Sequence, residues 1–138
     1  QAMEEGLVKT FIDAGCAVAL ANLEIFRKEH TLAGLRPKIT LLKRLLKPFA
    51  DLPLVGDIRQ RGLMVGIELV RNKATREAIP LQARIGHRVT MEARRLGLLL
   101  RPLGNIIVLM PPLSVTPREL QRMTGILHQA ITRVHADL

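Results

Sequence analysis

"LVGDIRQRGLMVGIELV", residues 54–70, decides the fold class. Upstream the apolar residues recur at helical spacing. Here Val55, Asp57 and Arg59 alternate with Gly56, Ile58 and Gln60, the side-chain period of a strand. After Gly62 the run LMVGIELV is too apolar for an exposed strand. The stretch predicts a strand, a turn or bulge at Arg61-Gly62, and a second, buried strand.

Two helices are expected before it. "CAVALANLEIFRKE", residues 16–29, is rich in helix formers. Its small residues Ala17, Ala19 and Ala21 permit close packing on another element. In "PKITLLKRLLKPF", Ile39, Leu42, Leu45, Leu46 and Phe49 share one face, and Lys43, Arg44 and Lys47 cover the other. Pro48 and Pro53 stop that helix.

Downstream, "RNKATREAIP" is polar and reads as a loop. Residues 81–96 place Ile85, Val89, Ala93 and Leu96 at helical spacing, with Gly97 set to close the helix. "LLLR" and "NIIVLM" read as two strands joined by a turn at Pro102-Leu103-Gly104. The double proline 111–112 ends the second. "TPRE" then announces a last helix: Thr116 as cap, Pro117 at the first position, Glu119 completing a capping box. The order α-α-β-β-α-β-β-α predicts an α+β fold, a small and mostly antiparallel sheet with helices on one face.

The chain has 138 residues and is 48% hydrophobic, which suits a single core and excludes disorder. Its longest uncharged run, residues 102–117, contains four prolines and does not read as a membrane span. The N-terminus lacks the pattern of a secretory signal, and the absence of an initial Met leads to the expectation of a piece cut from a longer protein. A single cysteine, Cys16, excludes an internal disulfide framework and fits a reducing, cytoplasmic setting. The net charge of +9 attracts anions. With no Trp, no Tyr and three Phe, there are few platforms for stacking bases. The basic residues are also dispersed, so no nucleic-acid partner is expected. They suit a solvated surface or a charge balanced by a missing part of the protein.

His30, His87, His128, His135 and Cys16 are scattered and give no metal-ligand spacing. No phosphate-binding glycine loop and no nucleophile elbow is present. Arg101, alone within "GLLLRPLGNIIVLMPP" (97–112), is the exception. Its planar fork of donors matches a carboxylate. Among Leu98, Leu99, Leu100 and Leu103 it is expected to be partly desolvated and to seek an anion. The alternative is a surface arginine at a strand end, paired with a carboxylate of its own chain.

Three stretches in order, "GCAVALANLEIF", "VGDIRQRGLMVGIELV" and "GLLLRPLGNIIVLMPPLSVTPREL", resemble the C-terminal portion of the class III pyridoxal-phosphate-dependent aminotransferases. The third most resembles the branch serving biotin synthesis, which aminates an amino-keto acid with S-adenosylmethionine as donor. The resemblance implies a fold-type I enzyme, with residues 15–138 as its small C-terminal domain and residues 1–14 as a divergent segment. It implies pyridoxal 5'-phosphate as cofactor, small-molecule substrates, a missing large domain and a homodimer. It also implies that Arg101 binds the substrate carboxylate. Thr10 falls at the family's hydroxyl that contacts cofactor phosphate, although its neighbours "KTFIDAG" depart from the family's turn. The family's Schiff-base lysine and its aspartate partner for the pyridine nitrogen have no counterpart here, so this segment alone is expected to be inactive. The rival expectations are another ω-amino-acid aminotransferase (4-aminobutyrate, lysine or acetylornithine type), a non-catalytic remnant, and a basic nucleic-acid-binding domain.

Overall fold

A computed structural model describes residues 2–137. They fall into two compact units, one ending at Arg36 and the other beginning at Pro37. The first unit contains helix α1 (Ala2–Lys28) and the first turns of α2 (Thr31–Leu46). Helix α1 runs unbroken through residues 14 and 15 and begins well before the expected Cys16. Val8, Phe11, Ile12, Val18, Leu20, Leu23 and Ile25 are all exposed along it. At 100° per residue these positions spread over an arc of about 220°, wider than the single apolar stripe of an ordinary surface helix.

Helix α2 starts six residues ahead of the expected Pro37, which stands inside it. Proline has no N–H to give to the helical ladder, and the division between the two units falls at that residue. Beyond it, Leu42, Leu46 and Phe49 are buried as the spacing predicts. Pro48 lies in the short 3-10 turn Lys47–Asp51 that ends the helix.

The second unit is built on an antiparallel sheet. Strand β1 (Val55–Arg61) pairs with β2 (Met64–Asn72), and β2 pairs with β5 (Ile106–Leu109), which pairs with β4 (Pro102–Leu103). The α+β expectation holds, with α3 (Ile85–Arg95) and α4 (Pro117–Ala136) packed on each other and α3 against β4 and β5. Val65, Ile67 and Leu69 of β2 and Ile107 and Leu109 of β5 are buried. They meet a core that includes Ile85, Val89 and Ala93 of α3 and Leu120, Leu127 and Ile131 of α4. Each fully buried Leu or Ile contributes about 1.5–3 kcal/mol relative to exposure.

Four details differ from the sequence reading. The bulge lies at Gly56, where the register shifts between Val55 and Asp57. A Cβ there would fall 2.5 Å from Val70 Cγ1. Arg61 and Met64 pair across a two-residue turn in which Gly62 takes φ +61°. "RNKATREAIP" is not wholly loop: β2 runs to Asn72, and β3 (Glu77–Ala78) pairs with it. Asn72 Oδ1 accepts from the Ala74 and Thr75 N–H groups and closes that turn. Residues 98–101 are not a strand; β4 is Pro102–Leu103, and the turn is Gly104-Asn105, with φ +59° at Gly104. The hairpin turn that places positive φ at its first loop residue favours glycine there. Helix α3 begins at Ile85, after a 3-10 turn at Leu81–Ala83 and Arg84 at φ +48°. Gly97, at φ +92°, closes it as expected.

The capping box of α4 forms in full. Thr116 Oγ1 accepts from Glu119 N–H, and the Thr116 N–H donates to Glu119 Oε2 at 2.7 Å. The Thr116 N–H and the Thr116 hydroxyl both donate to Glu119 Oε2 and hold the Glu119 carboxyl below its ordinary value.

Candidate functional site

Strand register sorts the sheet into two faces. Ile58, Ile67, Ile107 and Pro102 stand across from one another on the helix-covered face. Asp57 and Glu68 pair on the other face in line with Ile106 and Leu103, and Arg59 lies in line with Gly66 and Val108. Arg101, just ahead of β4, reaches the same face, where it lines a hollow with Leu103 and Val108.

Arg101 lines a concavity of about 490 Å3 together with Leu99, Leu100, Leu103, Val108 and Met110. A larger concavity of about 770 Å3 adjoins it, sharing Leu103, Val108 and Met110, floored by Gly66 and bounded by Arg59 and Arg61. Together they form an apolar trough across the open face with cations at both ends. Arg59 is already committed: it pairs with Asp57 at 3.3 Å and Glu68 at 3.5 Å. Arg101 makes no hydrogen bond or ion pair to the described residues, so the alternative of an internal carboxylate partner is not realised among them.

The expected desolvation of Arg101 is corrected. Its side chain is exposed, and its apolar neighbours Leu99 (76% exposed) and Leu103 (69%) are exposed with it. The reason is the layer order: the helices of this unit cover the opposite face, and only Leu98 turns into the core.

Thr10 lies inside α1, exposed, its hydroxyl donating to the Gly6 carbonyl at 2.9 Å. A phosphate oxygen accepts hydrogen bonds, so contact with a phosphate by donation requires that bond to be given up. Another concavity, about 500 Å3, lies beside the start of α4 and includes Glu119 and Arg122. Glu119 is engaged there in the capping box, and neither Arg101 nor Thr10, the two residues expected to bind substrate or cofactor, lines it.

Arg59, Arg61, Met64 and Gly66, which line the trough, were not read from the sequence as site residues. The signal was present in the alternation of residues 55–60. That alternation counted Val55 and Asp57 on one face, whereas the bulge at Gly56 separates them.

The family profile described as Aminotransferase class-III matches residues 10–131. The chain belongs to the class III aminotransferases. It is 54% identical, over 119 residues, to adenosylmethionine-8-amino-7-oxononanoate aminotransferase of Nitratidesulfovibrio vulgaris, covering 86% of this chain and 22% of that protein. The crystal structure of the enzyme of the same name from Methanocaldococcus jannaschii superposes with a TM-score of 0.84 at 44% identity, over 86% of this chain and 27% of that one. The PMP-bound form of an aminotransferase from Vibrio fluvialis gives 0.85 at 30% identity, over 89% and 27%. The chain therefore spans about a quarter of the length of the relatives it matches.

The residues present do not complete a pyridoxal phosphate site. Among the described residues, neither a lysine nor a carboxylate lines the trough. Lys38 donates to the Leu113 carbonyl at 2.8 Å and Lys73 to the Ala50 carbonyl. No helix among the described residues is long and apolar enough to cross a membrane.

Proposed function

We propose that this chain is the carboxylate-receiving segment of a pyridoxal-phosphate-dependent aminotransferase of biotin synthesis. The complete enzyme converts 8-amino-7-oxononanoate to 7,8-diaminononanoate, with S-adenosylmethionine as amino donor. The observation that carries the proposal is Arg101, an arginine with no partner among the described residues at the end of an apolar trough. A carboxylate on an apolar chain matches both parts: the guanidinium fork takes the charge, and the exposed leucines take the chain. The 54% identity to a protein named for this reaction favours it over other ω-amino acids.

In the complete enzyme the cofactor supplies the electron sink for amino transfer, and the large domain supplies the lysine that holds it. Arg101 binds and orients. Thr10 enters the proposal as a phosphate contact formed once its bond to the Gly6 carbonyl is exchanged. The proposal also includes residues 15–138 as the small domain, and a cytoplasmic homodimer acting on small molecules.

The test is single-turnover kinetics of the complete enzyme with the amino-keto acid and its methyl ester. A charge-assisted bidentate contact is worth roughly 1.5–3 kcal/mol. Arg101→Ala is therefore expected to lower kcat/KM for the acid about ten- to a hundredfold while affecting the ester less. Arg101→Lys recovers only part, because a point charge does not reproduce the fork. An Ala variant that separates acid from ester as widely as wild type refutes the assignment.

A further inference from the structure

We infer that Asn105 is a positioning residue for Arg101, acting through the hairpin on which Arg101 is mounted. The inference rests on the reading of Arg101 as the carboxylate receptor.

Among the described residues Arg101 has no bonding partner that fixes its direction. It precedes β4, a strand of only two residues held to β5 by two register pairs. Its aim therefore depends on how firmly the Gly104-Asn105 turn is anchored, and three neighbours grip that turn. From β2, the Leu69 N–H donates to the Asn105 carbonyl at 2.9 Å. From the segment before α3, the Ile79 carbonyl accepts from Asn105 Nδ2 at 2.5 Å, across 26 residues of chain. From α3, Gly86 lies so close to the Gly104 carbonyl and Pro102 that a Cβ has no room.

Of these three contacts, one is made by a side chain, and it needs asparagine. The usual reason for asparagine in a turn is tolerance of positive φ, but that conformation belongs to Gly104 and not to Asn105. Stability alone is a poor reason too, because Asn105 Oδ1 is buried without a partner among the described residues. Leaving half of a buried amide unsatisfied is a cost that native structures seldom keep without reason. What the residue supplies is the Nδ2 donor that ties the Arg101 hairpin to Ile79. Without it the turn is held through backbone and packing alone, and the mount of Arg101 loosens. A displacement of about 1 Å in a positioning group can cost up to a hundredfold in rate.

The experiment measures the ratio of kcat/KM for 8-amino-7-oxononanoate to that for its methyl ester in the complete enzyme. The variants are Asn105→Ala, Asn105→Ser, Arg101→Ala and Val134→Ala, the last a buried α4 residue remote in sequence from the hairpin. Asn105→Ala and Asn105→Ser, both too short to reach Ile79, are expected to lower the acid-to-ester ratio about tenfold. Val134→Ala is expected to lower thermal stability while leaving the ratio at the wild-type value. The inference is overturned if either Asn105 variant keeps the wild-type ratio, or if Val134→Ala lowers it equally. Serine serves as the readout should the alanine variant fail to fold. Failure of the underlying reading looks different: the ratio then does not respond to Arg101→Ala.

Discussion

Replacing Gly86 by alanine tests whether α3 is seated on the Arg101 hairpin as described. The added Cβ would meet the Gly104 carbonyl oxygen well inside contact distance and Pro102 Cβ at 3.0 Å. Both obstacles belong to a backbone or a rigid ring, so neither can swing aside. The helix must move off the hairpin, and overpacking against parts that cannot yield costs about 2–3 kcal/mol, the upper part of the usual range. Alanine in a helix returns up to about 1 kcal/mol over glycine. The net expectation is a loss of about 1–2 kcal/mol, or roughly 4–16 °C in Tm for a unit of about 100 residues. Gly125 is the internal control. It lies exposed in α4, with nothing within 4 Å of its would-be Cβ, so Gly125→Ala should stabilise by up to about 1 kcal/mol. The same substitution thus has opposite signs at two sites. With no Trp or Tyr in the chain, urea unfolding is best followed by circular dichroism at the helix band. A Gly86→Ala protein as stable as wild type would refute the seating of α3 on the hairpin.

Three further outcomes are expected. Glu92 bridges α3 to α4 through Arg133 (2.7 Å) and also bonds Arg95 (3.1 Å), and these bonds hold its carboxyl below the ordinary value. A carboxyl with a depressed folded pKa adds stability above its unfolded pKa, about 4.3, and loses it as pH falls through the folded value. Glu92→Gln should therefore flatten the acid side of the stability curve and change little below it, measured as Tm against pH. The isolated 138-residue chain should show no transamination with pyridoxal phosphate, and borohydride trapping should give no single stoichiometric adduct; a site-specific adduct that supports turnover contradicts this. The chain should also bind a hydrophobic dye and self-associate in sedimentation through the exposed apolar residues of α1, whereas a monodisperse monomer without dye binding contradicts it.

Local physics made much of the fold legible in the sequence. The change of period at residues 54–70 announces the sheet, and "TPRE" specifies a capping box whose bonds lie within four consecutive residues. Gly97 closes α3 because only the local backbone is involved. Arg101 could be singled out because a lone guanidinium in an apolar run is unusual in any context. The extra length of α1 was not legible, since residues 2–15 mix small, charged and apolar types without one clear face. β3 was missed because its two residues gain strand geometry only by pairing with β2.

What tertiary structure alone decided was which side of the sheet each residue faces. One bulge residue, Gly56, shifts the register, and a shift of one exchanges the two faces of a strand. Its position depends on Val70, fourteen residues away in sequence and packed where a Cβ at Gly56 would be. The exposure of Arg101 is decided the same way. Composition surrounds it with leucines, but burial depends on what covers a surface, and the helices of this unit cover the opposite face. The anchoring of its hairpin by Asn105 to Ile79 joins residues 26 apart, and a link of that span has no local signature to read.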